Sequence, residues 1–222
     1  MNDHQVSRNR GISFTVIGLL VVITLIVGGF VRQFVGPKQL DPNWLEAHGT
    51  YLFELPREFD PVVFTDKDRQ TFTGDDFDGA WTLVFFGFTY CPDICPTTLA
   101  QLSQVFKQLK PASETLTAPR VVLVTVDPAR DTPEHLKPYI EHFNPTFNAL
   151  TGEFMDIHRF ATQLNTPFRK VIDPDDPAQY TVDHSGNIAL LNPYGDYAGF
   201  IKAPFDNDRL LRVIEAIRTL PH

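Results

Sequence analysis

The sequence has few cysteines, no excess of basic residues and no internal repetition, and each absence excludes a class of protein. Its 222 residues contain only two cysteines, too few and too close together for a disulfide-stapled scaffold. Lysine and arginine total 19 against 27 aspartates and glutamates, a net charge of −8, which argues against a nucleic-acid-binding surface. The absence of a repeat period or a low-complexity segment excludes solenoids and long disordered tails.

One long apolar segment lies near the N-terminus. Residues 12–31 carry no charge, and a helix of that length spans about 30 Å, the hydrocarbon thickness of a bilayer. We therefore predict a tail at residues 1–11, a transmembrane anchor at residues 12–31 and a leader at residues 32–59. A cleaved signal peptide is the alternative, but its apolar region is shorter and ends at a small-residue site that is absent here.

The charge distribution predicts the side of the membrane on which the domain lies. Residues 33–222 carry 16 basic and 26 acidic residues, whereas Arg8 and Arg10 precede the apolar segment. Arg32 and Lys38 follow it, so the comparison of positive flanks is nearly balanced. The acidic body decides the orientation, and we expect the tail inside and residues 60–222 on the periplasmic side of a bacterial-type inner membrane. That compartment permits disulfides, so the redox state of the cysteines matters for function.

Hydrophobic patterns in the exported part predict alternating strands and helices. Apolar runs at residues 81–88 and 121–126 are typical of strands buried on both faces. The other predicted elements are a hairpin at 62–73, helices at 99–109, 132–143, 154–164 and 209–220, and strands at 168–172, 182–191 and 198–201, after an irregular, Pro-rich segment at 33–60. This order predicts an α/β sandwich with a central mixed sheet flanked by helices, for which the thioredoxin-like fold is the candidate.

The two cysteines lie where a predicted buried strand passes into a helix. Cys91 and Cys95 are separated by three residues, and each is followed by proline. The positive end of the helix favours thiolates, and two sulfurs one helical turn apart can converge on one point. Such a pair can form a disulfide or hold one soft metal ion, for which copper(I) is better suited than a hard cation. The alternative is that both cysteines are buried structural residues that neither react nor bind a metal.

A metal site needs at least one more ligand, and the sequence offers seven histidines. His184 differs from the others because it lies in a polar, turn-like segment ahead of an apolar strand. The neighbouring Asp183 or a backbone carbonyl could orient its ring, as is general for metal-bound histidines. The residues alone do not place His184 near the cysteines, so the identity of the third ligand stays open at this point.

Four stretches of the sequence resemble the Sco/SenC family of membrane-anchored copper proteins. They are residues 86–96 (FGFTYCPDICP), 126–133 (VDPARDTP), 147–152 (FNALTG) and 182–185 (VDHS). They follow the order of the family's motifs and extend over roughly residues 60–220. The first two stretches together are specific to the family, whereas the Leu-Thr-Gly of the third would not be specific alone.

The resemblance implies a thioredoxin-like fold and a copper site that holds Cu(I), Cu(II) or both. It implies a metallochaperone that delivers copper to the CuA site in subunit II of cytochrome c oxidase, helped by a periplasmic copper donor or thiol reductant. By motif, the implied ligands are Cys91, Cys95 and His184, with Asp127 and Asp131 as supporting residues near the site and Asp183 beside the histidine.

A thiol–disulfide oxidoreductase that keeps the cysteines of that oxidase subunit reduced is the alternative function. Cys91 would attack as the thiolate and Cys95 would resolve the mixed disulfide. His184 would then be dispensable, which separates the two hypotheses. The protein is an enzyme only under this alternative, since a chaperone hands on its copper without a chemical reaction.

Overall fold

The computed structural model describes residues 16–29, 42–113, 117–176 and 179–220. The chain divides into two compact units, Met1–Gln39 and Leu40–His222. In the first unit, residues 16–29 form a helix, α1, with exposed side chains. None of the helices within the described ranges is long and apolar enough to span a membrane. The anchor predicted at residues 12–31 lies partly outside those ranges and the tail wholly so, and both stay predictions.

An eight-stranded mixed sheet forms the centre of the second unit. The strands described in this unit are β1 (Thr50–Arg57), β2 (Val63–Asp66), β3 (Thr71–Thr73), β4 (Thr82–Gly87), β5 (Arg120–Thr125), β6 (Asn148–Thr151), β7 (Phe168–Ile172), β8 (Tyr180–His184), β9 (Ile188–Leu191) and β10 (Tyr197–Ile201). The order in the large sheet is β1-β10-β9-β4-β5-β6-β2-β3. The pairs β4–β5 and β5–β6 are parallel and the others antiparallel, so the predicted mixed sheet is confirmed.

Helices cover both faces of this sheet. They are α2 (Pro42–Ala47), α3 (Ile94–Phe106), α4 (Pro133–Phe143), α5 (Phe154–Gln163) and α6 (Asn207–Ile217), with a 3-10 turn at Gly74–Phe77. Successive residues of a strand point to opposite faces. Phe86 of β4 contacts Phe160 of α5, with ring centroids 5.8 Å apart, whereas Gly87 faces Cys95 of α3. Burial on both faces explains the continuous apolar run of β4, and the predicted α/β architecture is confirmed.

Strands β7 and β8 form a separate two-stranded sheet, which we call the His184 hairpin (residues 168–172 and 180–184). Within the described ranges these two strands pair with each other and not with the large sheet. Phe168 and Val182 are buried, while their neighbours Arg169 and Asp183 are exposed. Phe168 and Val182 thus pack on the core, whereas the rest of β7 is exposed.

The irregular chain predicted at residues 33–60 is wrong for much of the part that the structure describes, while the leader boundary at residues 32–59 stays a prediction. Helix α2 and strand β1 lie there, and β1 pairs antiparallel with β10 at the edge of the large sheet. Pro56 falls inside this strand, which an edge strand tolerates because one side of its backbone has no strand partner. The proline content favoured irregular chain in the prediction. In the structure, β10 from the far end of the sequence pairs with this segment and makes it a strand.

Two strands in the second half of the chain also differ from the sequence prediction. Strand β6 is missing from the prediction because four residues are too few to show a period. The single strand predicted at residues 182–191 is two strands, β8 and β9, which belong to different sheets. Gly186 lies in the break, where a Cβ atom would come 2.6 Å from Cδ1 of Ile94. A glycine leaves room there for the side chain of Ile94 at the start of α3.

Candidate metal centre

The connection between β4 and α3 carries both cysteines. Cys95 lies in the first turn of α3 and is fully buried, while Cys91 retains 8% of its surface. The free N–H of Cys95 at the helix start donates to Sγ of Cys91 over 3.4 Å. The predicted placement of a sulfur at the positive end of a helix is thus confirmed, and that N–H stabilises a thiolate on Cys91.

His184 is the last residue of strand β8, so it approaches the cysteines from the two-stranded sheet. Its Nε2 atom lies 3.4 Å from Sγ of Cys95 and 4.0 Å from Sγ of Cys91. Its Nδ1 atom lies 3.1 Å from the backbone oxygen of Ser185. A proton on Nδ1 that is donated to this oxygen leaves Nε2 free as the ligand atom. The edges of Phe85 and Phe88 enclose the ring, with centroids 6.1 and 5.8 Å away.

The three ligand atoms are close enough to share one metal ion. The two sulfurs and a ring nitrogen lie within 4.8 Å of one another. Donor atoms about 2.0–2.3 Å from a common ion are themselves about 3.3–3.8 Å apart at tetrahedral angles. Two thiolates and an imidazole are soft and borderline ligands, which suit copper better than a hard cation. The structure therefore brings together the three residues that the sequence analysis predicted as ligands.

The two thiols differ in acidity. A hydrogen bond from the Cys95 thiol lowers the pKa of Cys91 to about 4 against the effect of burial, and a hydrogen bond from His184 adds to the lowering when Nε2 carries the proton. The same hydrogen bond, together with burial, raises the pKa of Cys95. One proton held between the two sulfurs thus leaves Cys91 as the thiolate and Cys95 as the thiol.

Asp131 is fully buried and holds the cysteine loop through Thr89. Its carboxylate accepts a hydrogen bond from the backbone N–H of Thr89 at 3.0 Å and another from the Thr89 hydroxyl at 2.5 Å. The hydroxyl of Thr125 donates to it at 2.7 Å. Burial raises the pKa of Asp131, and the hydrogen bonds from Thr89 and Thr125 oppose that shift. Asp131 thus fixes the residue two positions before Cys91, and it does not reach the metal-ligand atoms.

Asp127 supports the histidine side of the centre. It is 4% exposed, pairs with Nε of Arg130 and accepts a hydrogen bond from the Tyr180 hydroxyl at 3.0 Å. Because Tyr180 begins β8, this contact joins the end of β5 to the strand that carries His184. The role of Asp127 as a supporting residue stays a prediction, and the structure gives it a partner on the His184 hairpin.

Asp183 does not orient the histidine. Its carboxylate pairs with Nε of Arg169 across the hairpin at 3.2 Å and is exposed. Neighbouring residues of a strand point to opposite faces, so Asp183 turns away from the ring of His184. Of the two orienting groups that the sequence left open, the structure shows the backbone carbonyl, that of Ser185, and the proposal for Asp183 is wrong.

The remaining histidines do not form a second cluster in the described ranges. Each of the four others in those ranges has a different neighbour: Trp44 for His48, the Arg130 backbone for His135, Phe143 for His142 and Phe168 for His158. His4 and His222 lie outside those ranges. The sequence analysis missed Gly87 and Tyr180. A lone glycine inside an apolar strand is a known sign of close backbone approach, whereas nothing around Tyr180 marked it.

Comparison with known proteins identifies the family. The family model described as SCO1/SenC matches residues 56–219, which is most of the chain. The chain belongs to the SCO1/SenC family. The Sco/SenC resemblance inferred from the motifs is confirmed.

Relatives and solved structures agree with this membership. A relative from Stutzerimonas stutzeri is 42% identical over 180 residues, 80% of this chain and 86% of the relative. A SCO2-like protein of Rickettsia felis is 36% identical over 182 residues, 82% and 87% of the two chains. The crystal structure of Arabidopsis thaliana ScoI with copper bound has a TM-score of 0.65 and 31% identity over 73% of this chain and 99% of its own. The fold is thus thioredoxin-like, as predicted.

Proposed function

We propose that the protein binds one copper ion through Cys91, Cys95 and His184. The observation that carries this proposal is the convergence of two sulfurs and one imidazole nitrogen within 4.8 Å, in a member of a family of which a structure with copper bound is known. Zinc in a structural site takes four protein ligands, whereas three soft or borderline donors suit copper in either oxidation state.

The copper is cargo to be delivered to the CuA site in subunit II of cytochrome c oxidase. BsSco, a structural neighbour, is described as a member of the Sco family of cytochrome c oxidase assembly proteins, which supports this target. The centre also suits transfer, since Cys91 and His184 retain some exposed surface and an incoming ligand can replace them one at a time. A periplasmic copper donor or a thiol reductant would serve as the second partner.

The proposed location is a single-pass anchor at residues 12–31 in a bacterial-type inner membrane. The uncharged run of 20 residues and the acidic body of the chain support this topology. The domain at residues 60–222, with the strand and helix that precede it, would then face the periplasm. There the cysteine pair can be oxidised, and an oxidised pair offers no thiolates to copper.

Copper stoichiometry and absorption of the reduced full-length chain test the copper site. One copper per chain is expected, with thiolate-to-copper(II) bands that weaken or vanish in His184→Ala. His142→Ala is the matched control, because that imidazole is exposed on α4 and packs against its neighbour Phe143, so its loss should leave the bands unchanged. Absence of tight copper binding, or identical bands in both variants, would contradict the proposed ligand set.

A thiol–disulfide oxidoreductase is the second candidate, and the acidity of Cys91 favours it. The Cys91 thiolate would attack a disulfide sulfur of the target and expel one target thiolate. Cys95 would then attack Sγ of Cys91 and release the second target thiol, so two electrons pass from the pair to the target. Disulfide exchange that persists in His184→Ala and disappears in Cys91→Ser would favour this function, whereas a requirement for His184 would count against it.

A further inference from the structure

The position of His184 relative to the cysteines depends on a small number of side-chain contacts. The cysteine loop extends β4, which is hydrogen-bonded on both sides within the large sheet, whereas β7 and β8 pair only with each other in the described ranges. Strand pairing therefore does not join the hairpin directly to the cysteine half, and the nearest pairing is that of Ile188 in β9 with Phe85 in β4, four residues beyond His184. Contacts between side chains must hold the rest of the hairpin against the cysteine loop.

Arg130 makes contacts of this kind with both halves. Its guanidinium carbon lies 3.9 Å from the ring centroid of Tyr180 and 4.8 Å from that of Tyr90. Tyr90 directly precedes Cys91, and Tyr180 begins the strand that ends at His184. Nη1 of Arg130 also lies 3.5 Å from the backbone oxygen of Tyr180. One side chain thus contacts both the cysteine loop and the His184 hairpin.

Asp127 holds Arg130 in this position. Its carboxylate pairs with Nε of Arg130 through one oxygen and accepts from the Tyr180 hydroxyl through the other. The arginine side chain is 27% exposed and the aspartate 5%, so the pair is mostly shielded from solvent. A guanidinium can stack on aromatic rings while its edge binds a carboxylate, which the single ammonium of lysine cannot do equally well.

We propose that Arg130 is a positioning residue that clamps the His184 hairpin against the cysteine loop, so that the imidazole lies within ligand distance of the two sulfurs. The proposal rests on the metal site proposed above and adds the element that sets its geometry. Arg130 contacts Asp127 and the rings of Phe88, Tyr90 and Tyr180, so it acts on the site through them. Loss of the clamp should loosen the hairpin and leave the two cysteines in place.

Amide hydrogen exchange of the copper-free, reduced full-length chain tests the clamp without any metal. In Arg130→Gln the amides of β7 and β8 should exchange about tenfold faster, while those of β4 and β5 keep their wild-type rates. Arg130→Lys should show a smaller increase, because it keeps the charge opposite Asp127. Arg159→Gln is the control, since Arg159 also pairs with an aspartate three residues earlier but lies on the surface of α5.

Copper(II) absorption of the same variants provides the second readout. The bands of Arg130→Gln should shift towards those of His184→Ala, with copper still held by the cysteines, and Arg130→Lys should lie between wild type and Arg130→Gln. Faster exchange throughout the large sheet would overturn the proposal, because Arg130 would then stabilise the whole domain. A loosened hairpin with wild-type copper bands would overturn it as well. If His184→Ala itself keeps wild-type bands, the proposed ligand set fails, and exchange in the copper-free chain still reports whether the clamp exists.

Discussion

The two halves of the metal centre are held by different means. The cysteine half follows β4, which is hydrogen-bonded to β5 on one side and to β9 on the other. Sγ of Cys95 packs against the backbone of Gly87 in that strand. The histidine half lies on a two-stranded hairpin that is attached through side chains. Damage to the first half should therefore cost stability of the whole domain, whereas damage to the second half should alter the site and leave most of the stability intact.

Removal of the buried carboxylate below the cysteine loop should have the largest effect. Asp131→Ala leaves the Thr89 N–H and the Thr125 hydroxyl buried without their acceptor, which should lower the free energy of unfolding by about 3 kcal/mol. Urea denaturation of the reduced, copper-free chain measures this loss. Asp68→Ala removes an exposed carboxylate and should change the stability little, and an equal loss in both variants would argue against a special role for Asp131.

The same carboxylate should give a characteristic dependence on pH. Burial raises the pKa of Asp131 above its ordinary value of 3.8, so the folded state binds its proton more tightly than the unfolded state does. The stability that Asp131 contributes is therefore complete below that ordinary value and declines as pH rises through the raised pKa. The difference in unfolding free energy between wild type and Asp131→Asn should shrink with rising pH, and a difference that grows would contradict the raised pKa.

Overpacking beside Cys95 should have the next largest effect. A Cβ atom at Gly87 would lie 2.9 Å from Sγ of Cys95 and 3.1 Å from Cδ1 of Leu123, both in the core. Gly87→Ala should therefore lower the free energy of unfolding by about 2 kcal/mol. In the control Gly74→Ala the nearest atom would be 3.8 Å away, in Phe59, so little change is expected. Equal losses would show that the contact with Cys95 is not tight.

The corresponding change on the histidine side should cost less stability and affect the site more. In Gly186→Ala the new Cβ would meet the end of the Ile94 side chain, which is 39% exposed and can turn aside. We expect a loss of at most about 1 kcal/mol in unfolding free energy. The new Cβ would also lie 3.3 Å from Cβ of Ala203, which cannot rotate away, so the hairpin connection should shift slightly and the copper(II) absorption should change. If Gly186→Ala kept the copper(II) bands and lost as much unfolding free energy as Gly87→Ala, the two halves would not differ in the way described.

The smallest effect is expected at Asp183. Its exposed pair with Arg169 should contribute less than about 0.5 kcal/mol, and its carboxylate does not touch the imidazole. Asp183→Asn should therefore keep wild-type stability and wild-type copper(II) bands. A change in the bands would mean that the aspartate, rather than the backbone of Ser185, orients His184 in solution.

Patterns local in sequence predicted a large share of the fold. The apolar run of β4, the helical spacing after Cys95 and the Thr-Pro start of α4 each reflect a preference that a short segment expresses by itself. Strands β1 and β6 escaped prediction because they depend on partners distant in sequence. The edge position of β1 accommodates Pro56, and the pairing of β6 with β5 stabilises four residues that show no period of their own.

The sequence by itself determined the cysteine half of the centre, because the spacing of Cys91 and Cys95 at the start of a helix is a local matter. The family motif indicated His184 as their partner, but only the tertiary structure brings an imidazole from a separate hairpin to 3.4 Å from a sulfur. The tertiary structure also decided against Asp183 as the group that orients the ring, since the pleat of β8 turns it away. Contacts between distant segments depend on how whole elements pack, and no spacing within one segment encodes them.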